Sequence, residues 1–351
     1  MATPFEITLW IYNLTLFPII FVSVLFLVLC AINLFIDKKA KKNYPEFKDL
    51  PFVTVQIPTF NDPIAVRCIE ACLKLDYPKD KHEIFIVDDS TNRETQELLK
   101  NFTKYDNVKY IYRDNRSGYK PGALKNSMKY AKGEIIVVFD SDWVPAPDFI
   151  KKIIKPFNDK NVAIVQTRQG FLNKDTNLIT KFAAYSLMAY HAIIMPINNK
   201  INCVFFCGTA GALRRSAFEE VGGWNLSSIT EDSDLSVKLL KMKYKSVYLD
   251  FETPSEVPDT FEGFIKQQMR WCYGNTRVFM DNLPNIFLKK GLSLKQRIMI
   301  TYLTFGNITA PIVVLMTFFG FAGWFLGEPA LMSITDLWTF LIRFACSRKT
   351  F

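Results

Sequence analysis

Histidine is nearly missing from this sequence of 351 residues, which contains only two, His82 and His191. A metal site built from histidines and a catalytic Ser-His triad are therefore not expected. None of the seven cysteines forms a Cys-x-x-Cys motif, which fits reduced thiols in the cytosol. The chain also lacks a recognised nucleic-acid-binding motif and a long basic patch interleaved with aromatic residues, so no nucleic-acid partner is expected.

Apolar and aromatic residues are abundant instead. Hydrophobic residues make up 49% of the chain and aromatic residues 15%, with 31 phenylalanines. The excess is concentrated at the two ends, which indicates a soluble core between membrane segments. The net charge of +9 suits an anionic membrane surface or a nucleotide substrate.

The amino-terminal part predicts one membrane span. Residues 9–36 are almost wholly apolar and longer than the ~20 residues that a span needs. A cleaved signal peptide is the alternative, but no basic residue precedes the run, and the run is longer than a signal core. The lysine-rich juxtamembrane segment 37–50 predicts a cytoplasmic location for its end of the span, so residues 1–8 would lie outside the cytoplasm.

The carboxy-terminal part predicts further membrane contacts. Residues 286–297 mix apolar and basic side chains, as an amphipathic helix lying in the membrane interface would. Residues 298–326 are predicted to form a second transmembrane helix. A shorter apolar run at 330–345 predicts a short transmembrane or interfacial helix. The segment between the membrane parts, residues 51–285, is predicted to be one cytosolic domain.

Strands and helices alternate along the first half of this cytosolic domain. Short apolar runs predict strands at 52–57, 83–87, 108–112 and 135–139, and helical patterns separate them. This alternation is typical of an α/β fold with a doubly wound, mostly parallel sheet. Later strands are predicted at 162–167 and 246–249, and a helix at 261–280.

Two carboxylates follow the strand predicted at 135–139. Asp140 and Asp142 come where that buried run ends, and open α/β sheets bind their ligands at the carboxyl ends of strands. Because two close carboxylates repel each other, a hard divalent cation is a natural partner, with coordination sites left for a diphosphate. On these residues alone, a solvated acidic turn is an equal alternative.

Other chemistry-bearing residues follow in order. Asp88 and Asp89 close another predicted strand, although they could also cap a helix. Lys120 stands in a turn just before a helix, which is a usual place for a phosphate group. Thr230, Glu231 and Asp232 start a later helix, where a simple capping arrangement is the alternative.

A further set lies in the helix predicted at 261–280. Gln267, Arg270 and Trp271 are spaced by three and four residues, so they share one helical face. A core tryptophan beside a surface arginine would be the ordinary interpretation of the last two residues in isolation.

The order of these motifs resembles that of membrane-bound family 2 inverting glycosyltransferases, the group of cellulose, mannan and hyaluronan synthases. The resemblance extends from Phe52 to about Asn275, and its most specific element is the Gln-x-x-Arg-Trp motif preceded by Thr-Glu-Asp. It implies a GT-A-like fold flanked by transmembrane helices. The stretch Phe206 to Thr209 is similar to the family's Phe-Cys-Gly-Ser.

The resemblance also implies roles for individual residues. Those expected to bind the nucleotide sugar are Thr59, Asp88, Asp89, Lys120, Asp140, Gln267 and Arg270. Those expected to contact the acceptor are Phe206, Cys207, Gly208, Thr209, Glu231 and Trp271. Asp232 is expected to be the catalytic base, and Asp140 and Asp142 are expected to hold Mg²⁺ or Mn²⁺.

The activity implied is transfer of a hexosyl unit from a nucleotide sugar to a growing polysaccharide. A UDP-sugar is the expected donor, and GDP-mannose is an alternative. Two other hypotheses are transfer of a single sugar to a membrane lipid and an inactive membrane scaffold. Expected partners are the donor, a glycan or lipid acceptor, membrane lipid and subunits that would supply a channel, since the family usually has several spans after the catalytic domain. The expected location is the plasma membrane, with the catalytic domain in the cytoplasm.

Overall fold

The computed structural model describes residues 2–36, 44–288 and 291–326. The apolar run predicted at 330–345 and the juxtamembrane lysines Lys38, Lys39, Lys41 and Lys42 lie outside the described residues. The chain divides into two compact units. One comprises residues 28–307, and the described parts of the other are residues 2–27 and 308–326.

Helices long and apolar enough to cross a membrane occur at three places in the described part of the chain. The first is α1, Pro4–Leu34, which starts earlier than the predicted span 9–36, so residues 4–8 are helical. The last is α12, Thr309–Leu326. The third, Leu178–Lys200, lies within the unit of residues 28–307 and was not predicted as a span.

A mixed sheet forms the centre of the larger unit. The described residues contribute seven strands in the order β3-β2-β1-β4-β6-β5-β7. All neighbours pair in parallel except β6, which is antiparallel to both β4 and β5. The predicted mostly parallel sheet is confirmed. The strands are β1 Val53–Thr59, β2 His82–Asp88, β3 Val108–Tyr112, β4 Ile135–Val138, β5 Val162–Phe171, β6 Gly211–Arg214 and β7 Lys245–Ser255.

The helices between these strands cover both faces of the sheet. A π-helical turn, Tyr190–Ile194, joins two of them, α6 and α7. The helices of this unit after α1 are α2 Ala65–Leu73, α3 Arg93–Lys100, α4 Tyr119–Ser127, α5 Phe149–Ile153, α6 Leu178–Ala189, α7 Met195–Lys200, α8 Arg215–Glu220, α9 Glu231–Lys241, α10 Phe261–Phe287 and α11 Leu294–Phe305.

The unbroken apolar runs of the central strands follow from burial on both faces. In β4, Ile135 and Val137 pack into one core cluster, whereas Ile136 and Val138 pack into the cluster on the opposite face. Alternate side chains of a strand point to opposite faces, so a sheet covered by helices on both sides needs apolar residues at every position.

The helices after residue 285 differ from the predicted segments. Helix α10 continues to Phe287, and α11 starts after Ser293, so residues 286–297 are not one interfacial helix. Ser293 and Gln296 form a capping box, in which the Ser293 hydroxyl accepts from the Gln296 amide and the Gln296 side chain accepts from the Ser293 amide. The predicted span 298–326 is likewise two helices, since a 3₁₀ turn, Gly306–Ile308, separates α11 from α12.

Candidate active site

The site residues gather at one edge of the sheet. Thr59 and Asp88 end β1 and β2, which lie side by side with these two residues in register. Asp140 follows β4 by two residues. Because β6 runs antiparallel and Gly211 pairs with Val138, the segment before β6 also enters this edge. The topology therefore brings the predicted donor and acceptor residues to the same place.

Asp88 and Asp89 are bound by neighbouring protein groups. The Asp88 carboxylate accepts from the Tyr110 hydroxyl at 2.6 Å and from the Ser90 amide at 2.9 Å. Both oxygens of Asp89 accept from Arg113, at 2.8 Å from Nε and 2.5 Å from Nη2. Sequence reasoning identified the two acids but missed Tyr110 and Arg113, which lie more than twenty residues further along the chain.

Thr59 is also buried, with 6% of its surface exposed. Its hydroxyl has no hydrogen-bond partner among the described residues. A buried hydroxyl without a partner carries a free-energy cost, which a ligand atom could relieve.

Lys120 connects the two sides of the site. Its Nζ atom donates to Asp140 Oδ1 at 2.5 Å and to the Gly208 carbonyl at 3.1 Å. The Asp140 amide donates to the Thr209 hydroxyl at 2.9 Å, which joins the same two segments a second time. The predicted donor residues Lys120 and Asp140 are therefore in direct contact with the predicted acceptor segment.

Lys120 stays charged at this position. Burial alone would lower its pKa, but the carboxylates of Asp140, Glu231 and Asp232 raise the pKa above its ordinary value. The site thus presents an ammonium group among three acids at the first turn of α4, a position that suits a diphosphate.

Asp142 is held by two residues that the sequence did not single out. Its Oδ2 atom accepts from the Glu256 amide at 2.9 Å, and Arg67 donates to its backbone carbonyl at 3.0 Å. Arg67 also pairs with the Glu256 carboxylate at 2.7 Å. Burial raises the pKa of Asp142 to about 6; the charges of Asp140 and Glu256 act in the same direction and the Glu256 amide acts against it.

The donor atoms around Asp140 and Asp142 suit a hard cation. Carboxylate oxygens are the ligands that Mg²⁺ and Mn²⁺ prefer, and a cation would relieve the repulsion that helps to raise the pKa of Asp142. The described residues include no group of three His, Cys, Asp or Glu side chains arranged to hold a metal ion.

Glu231 and Asp232 lie at the start of α9, against Gly208. A Cβ atom on Gly208 would lie 3.0 Å from Asp232 Oδ2, and the residue has a φ of +77°, so glycine is needed for both space and conformation. Burial raises the pKa of Asp232, and hydrogen bonding to Ser233 and the charge of Lys120 oppose the rise. Burial, followed by the charge of Asp232, raises the pKa of Glu231 to about 7.

An aromatic contact and two backbone hydrogen bonds hold the segment of residues 206–209 in place. Phe206 is 1% exposed and packs on Trp224 in the core, while its amide donates to Ser236 Oγ at 2.9 Å. The Cys207 amide donates to Gln166 Oε1 at 2.9 Å. Burial raises the pKa of the Cys207 thiol to about 12, so this thiol is neutral. The structure therefore places Cys207, Gly208 and Thr209 closer to the open site than Phe206.

Helix α10 approaches the acids through two residues that follow the Gln-x-x-Arg-Trp motif. A Cβ atom on Gly274 would lie 2.4 Å from Thr230 Cγ2, and Asn275 accepts from the Ser233 hydroxyl at 2.7 Å. Thr230 and Ser233 flank Glu231 and Asp232. The motif itself lies one to two turns earlier, with Arg270 exposed, Trp271 half-buried and Gln267 Oε1 buried without a partner among the described residues.

Comparison with known proteins identifies the family of the chain. The model of the family described as "Glycosyl transferase family group 2" matches residues 135–345, which is more than half of the chain. The chain belongs to this family. The family predicted from the ordered motifs is thus confirmed.

Curated members of glycosyl transferase family group 2 are similar over most of the chain. Glucomannan 4-beta-mannosyltransferase 1 of Oryza sativa subsp. japonica is 35% identical over 266 residues, covering 72% of this chain and 51% of that protein. Glucomannan 4-beta-mannosyltransferase 2 of Arabidopsis thaliana is 35% identical over 267 residues, covering 72% and 50%. The chain spans about half the length of the curated relatives it matches.

A solved structure shares the fold. The mannosyltransferase PcManGT from Pyrobaculum calidifontis, in complex with GDP-Man and Mn²⁺, superposes with a TM-score of 0.69. The match covers 95% of this chain and 91% of that chain at 19% sequence identity. This likeness confirms the predicted GT-A-like fold class of the family member described here.

Proposed function

We propose that the chain transfers a mannosyl unit from a nucleotide sugar to a growing β-glycan, with inversion at the anomeric carbon. The observation that carries the proposal is the position of Gly208, whose carbonyl accepts from Lys120 and on which an added Cβ atom would lie 3.0 Å from Asp232 Oδ2. The Lys120 ammonium group, which would bind the leaving diphosphate, and the Asp232 carboxylate, the candidate base, therefore both lie next to Gly208. A direct displacement needs both groups close to the reacting carbon.

The mannosyl donor is supported by the relatives and by the structural neighbour. The two curated relatives are named glucomannan 4-beta-mannosyltransferases, and the neighbour was solved with GDP-Man and Mn²⁺. GDP-mannose, the alternative donor named with the resemblance, is therefore the proposed donor in place of a UDP-sugar. Because nucleotide-activated mannose carries an α-linkage, a β-linked product requires inversion, which one direct attack by the acceptor achieves.

Asp232 is the proposed general base. The acceptor hydroxyl attacks the anomeric carbon from the face opposite the diphosphate, and Asp232 takes the hydroxyl proton as the new bond forms. The raised pKa of Asp232 brings this carboxylate closer to the working pH and so makes it a stronger base than a solvated aspartate.

The leaving diphosphate is proposed to face Lys120 and Arg270. Both side chains carry positive charge, and Lys120 already lies between Asp140 and Gly208. Fixed charges directed at the group that gains negative charge lower the barrier for its departure. Held by Asp140 and Asp142, Mg²⁺ or Mn²⁺ would offset the same charge.

The acceptor is proposed to lie between the segment 206–209 and α10. Trp271 offers a flat apolar face on which a pyranose ring can stack, and Glu231 and Thr209 offer hydrogen bonds to sugar hydroxyls. Thr59 with its unpartnered hydroxyl, Asp88 and Asp89 remain the proposed base-side residues. The proposed location is the plasma membrane with the catalytic unit in the cytoplasm, and channel-forming subunits are proposed partners.

The test uses membranes that contain this protein, a panel of radiolabelled GDP- and UDP-sugars, and Mg²⁺ or Mn²⁺ against EDTA. Membranes with the Asp232→Asn variant are the control. We expect metal-dependent label from GDP-mannose in the polymer fraction and none in the control. Label confined to the lipid-extractable fraction would indicate addition of single sugars to lipid. Absence of both label and nucleotide-sugar binding would indicate a scaffold.

A further inference from the structure

Arg113 has no part in the chemistry proposed so far, yet its pair with Asp89, a proposed base-side residue, is one of the most enclosed ion pairs of the described residues. The two side chains are 10% and 5% exposed, and Arg113 spans both carboxylate oxygens. A two-pronged arginine–carboxylate contact of this kind is strong and has a fixed orientation. It therefore gives the Arg113 guanidinium a fixed orientation at the end of β2.

The remaining donors of Arg113 bind the loop of residues 114–119. Nη1 donates to the Ser117 carbonyl and Nη2 to the Tyr119 carbonyl, each at 3.1 Å. The loop is also packed closely against α4, since a Cβ atom on Gly122 would lie 2.0 Å from the Ser117 carbonyl oxygen and 3.0 Å from Arg113 Nη1. One guanidinium thus binds the loop at two backbone carbonyls, in addition to the hydrogen bond from the Tyr119 amide to the Arg116 carbonyl.

The loop positions two cationic side chains, that of Arg116 within it and that of Lys120 directly after it. Arg116 lies over the ring of Phe60, with its guanidinium carbon 3.2 Å from the ring centroid. Phe60 directly follows Thr59 in the sequence. Lys120 follows Tyr119 at once and reaches Asp140 and Gly208. A shift of the Tyr119 carbonyl would move both the Lys120 backbone and its ammonium group.

We propose that Arg113 is a positioning residue, which Asp89 orients and which fixes the loop 114–119 so that Lys120 meets the donor's diphosphate. Asp89 then acts on Lys120 through Arg113, in addition to its proposed place on the base side of the donor. The inference rests on the proposed function for the identity of the ligand, but the ordering of the loop does not depend on it.

Arg113→Lys keeps the positive charge and removes the planar fork, since an ammonium group cannot bind Asp89 with two donors while also reaching both carbonyls. The matched control is Arg214→Lys. Arg214 donates to the carbonyls of Phe157, Asp159 and Val162 at the other end of β6, so its loss also frees backbone carbonyls. Asp89→Asn is a second variant that retains Arg113.

Two measurements on the full-length protein separate positioning from general stability. In the ligand-free protein, we expect amide hydrogen exchange of residues 114–119 to be about ten-fold faster in Arg113→Lys and Asp89→Asn than in wild type. By calorimetry, we expect the Kd for GDP-mannose to rise about ten-fold in both variants. Arg214→Lys should lower the melting temperature without changing the exchange rate of residues 114–119 or the Kd for GDP-mannose.

A double-mutant cycle tests whether Arg113 acts through Lys120. Turnover should fall about ten-fold when Arg113→Lys is made in wild type, but less than about two-fold when it is made in Lys120→Ala. Additive losses would overturn the positioning role. Unchanged amide hydrogen exchange of residues 114–119 in Arg113→Lys would also overturn this role. So would a higher Kd for GDP-mannose in Asp89→Asn without any rise in Arg113→Lys. If wild type binds no nucleotide sugar, the proposed function fails, whereas the exchange rates still decide the role of Arg113.

Discussion

The carboxyl ends of β2 and β4 both carry two acidic residues, but the two ends have opposite environments. At β2, Asp88 and Asp89 are bound by Tyr110, Ser90 and Arg113. At β4, Asp140 pairs with Lys120, and Asp142 has a pKa raised to about 6 by burial and by neighbouring charge. At the first end each carboxylate accepts at least two hydrogen bonds from protein donors, whereas at the second end burial leaves Asp142 with a raised pKa.

The difference indicates how the two ends divide the work. Acids with complete hydrogen bonding stabilise the fold and orient neighbouring groups, because removing them leaves buried donors unpaired. Acids held close together without enough donors have perturbed pKa values, which are common where ligands bind or protons move. Glu231 and Asp232 belong with the β4 end, since burial raises the pKa of both.

The largest effect is expected from Asp232→Asn, which removes the proposed base from the acid-rich end. Turnover should fall by ~100-fold or more, while donor binding persists, because the carboxamide cannot accept a proton. Asp234→Asn on the same helix is the control, since Asp234 pairs with Lys238. Product formation near the wild-type rate in Asp232→Asn would exclude the base role.

Asp142→Asn should weaken binding of the divalent cation. Loss of one of two proposed ligands is expected to lower Mn²⁺ affinity by ~10-fold or more and to reduce turnover accordingly. Electron paramagnetic resonance of free Mn²⁺ measures the affinity without any turnover. Asp76→Asn, at a surface pair with Lys151, is the control, and equal Mn²⁺ affinity in both variants would remove Asp142 from the metal site.

Tyr110→Phe tests the opposite end by removing only the hydroxyl that binds Asp88. The buried carboxylate oxygen then loses its donor, which should cost about 1–3 kcal/mol of unfolding free energy. Turnover at a temperature where the variant is folded should stay within about three-fold of wild type. A loss of turnover as large as that in Asp232→Asn, without lower stability, would break the division between the two ends.

The smallest effect is expected from Glu231→Gln. The pKa of Glu231 is raised from its ordinary 4.5 to about 7, so the ionised form is disfavoured in the folded state. The contribution of protonated Glu231 to the free energy of unfolding is fully present below pH 4.5 and is lost as the pH rises through about 7. Between pH 5 and pH 8, the melting temperature of wild type should therefore fall by about 2 °C more than that of the variant. Parallel profiles would contradict the raised pKa.

The sheet and the acids at its edge could be predicted because strand periodicity and strand ends are local features of the sequence. The partners of these acids could not, because Arg113 and Glu256 reach Asp89 and Asp142 only after the chain has folded back. Strand β6 was missed since Gly211–Arg214 lacks the run of β-branched residues that indicated the equally short β4. The break between α10 and α11 did have a signal in the sequence, the Ser-x-x-Gln capping box at Ser293.

The reversed strand β6 has a consequence for the order in which the molecule assembles. It lies between β4 and β5 although it follows both in sequence, so β4 cannot acquire its neighbour on this side until residue 214 has been synthesised. Thr209, which supports the Asp140 amide, arrives with the same strand. Pairings between residues far apart in sequence form slowly. The contacts that build the reactive edge are therefore expected among the last to form as the polypeptide folds.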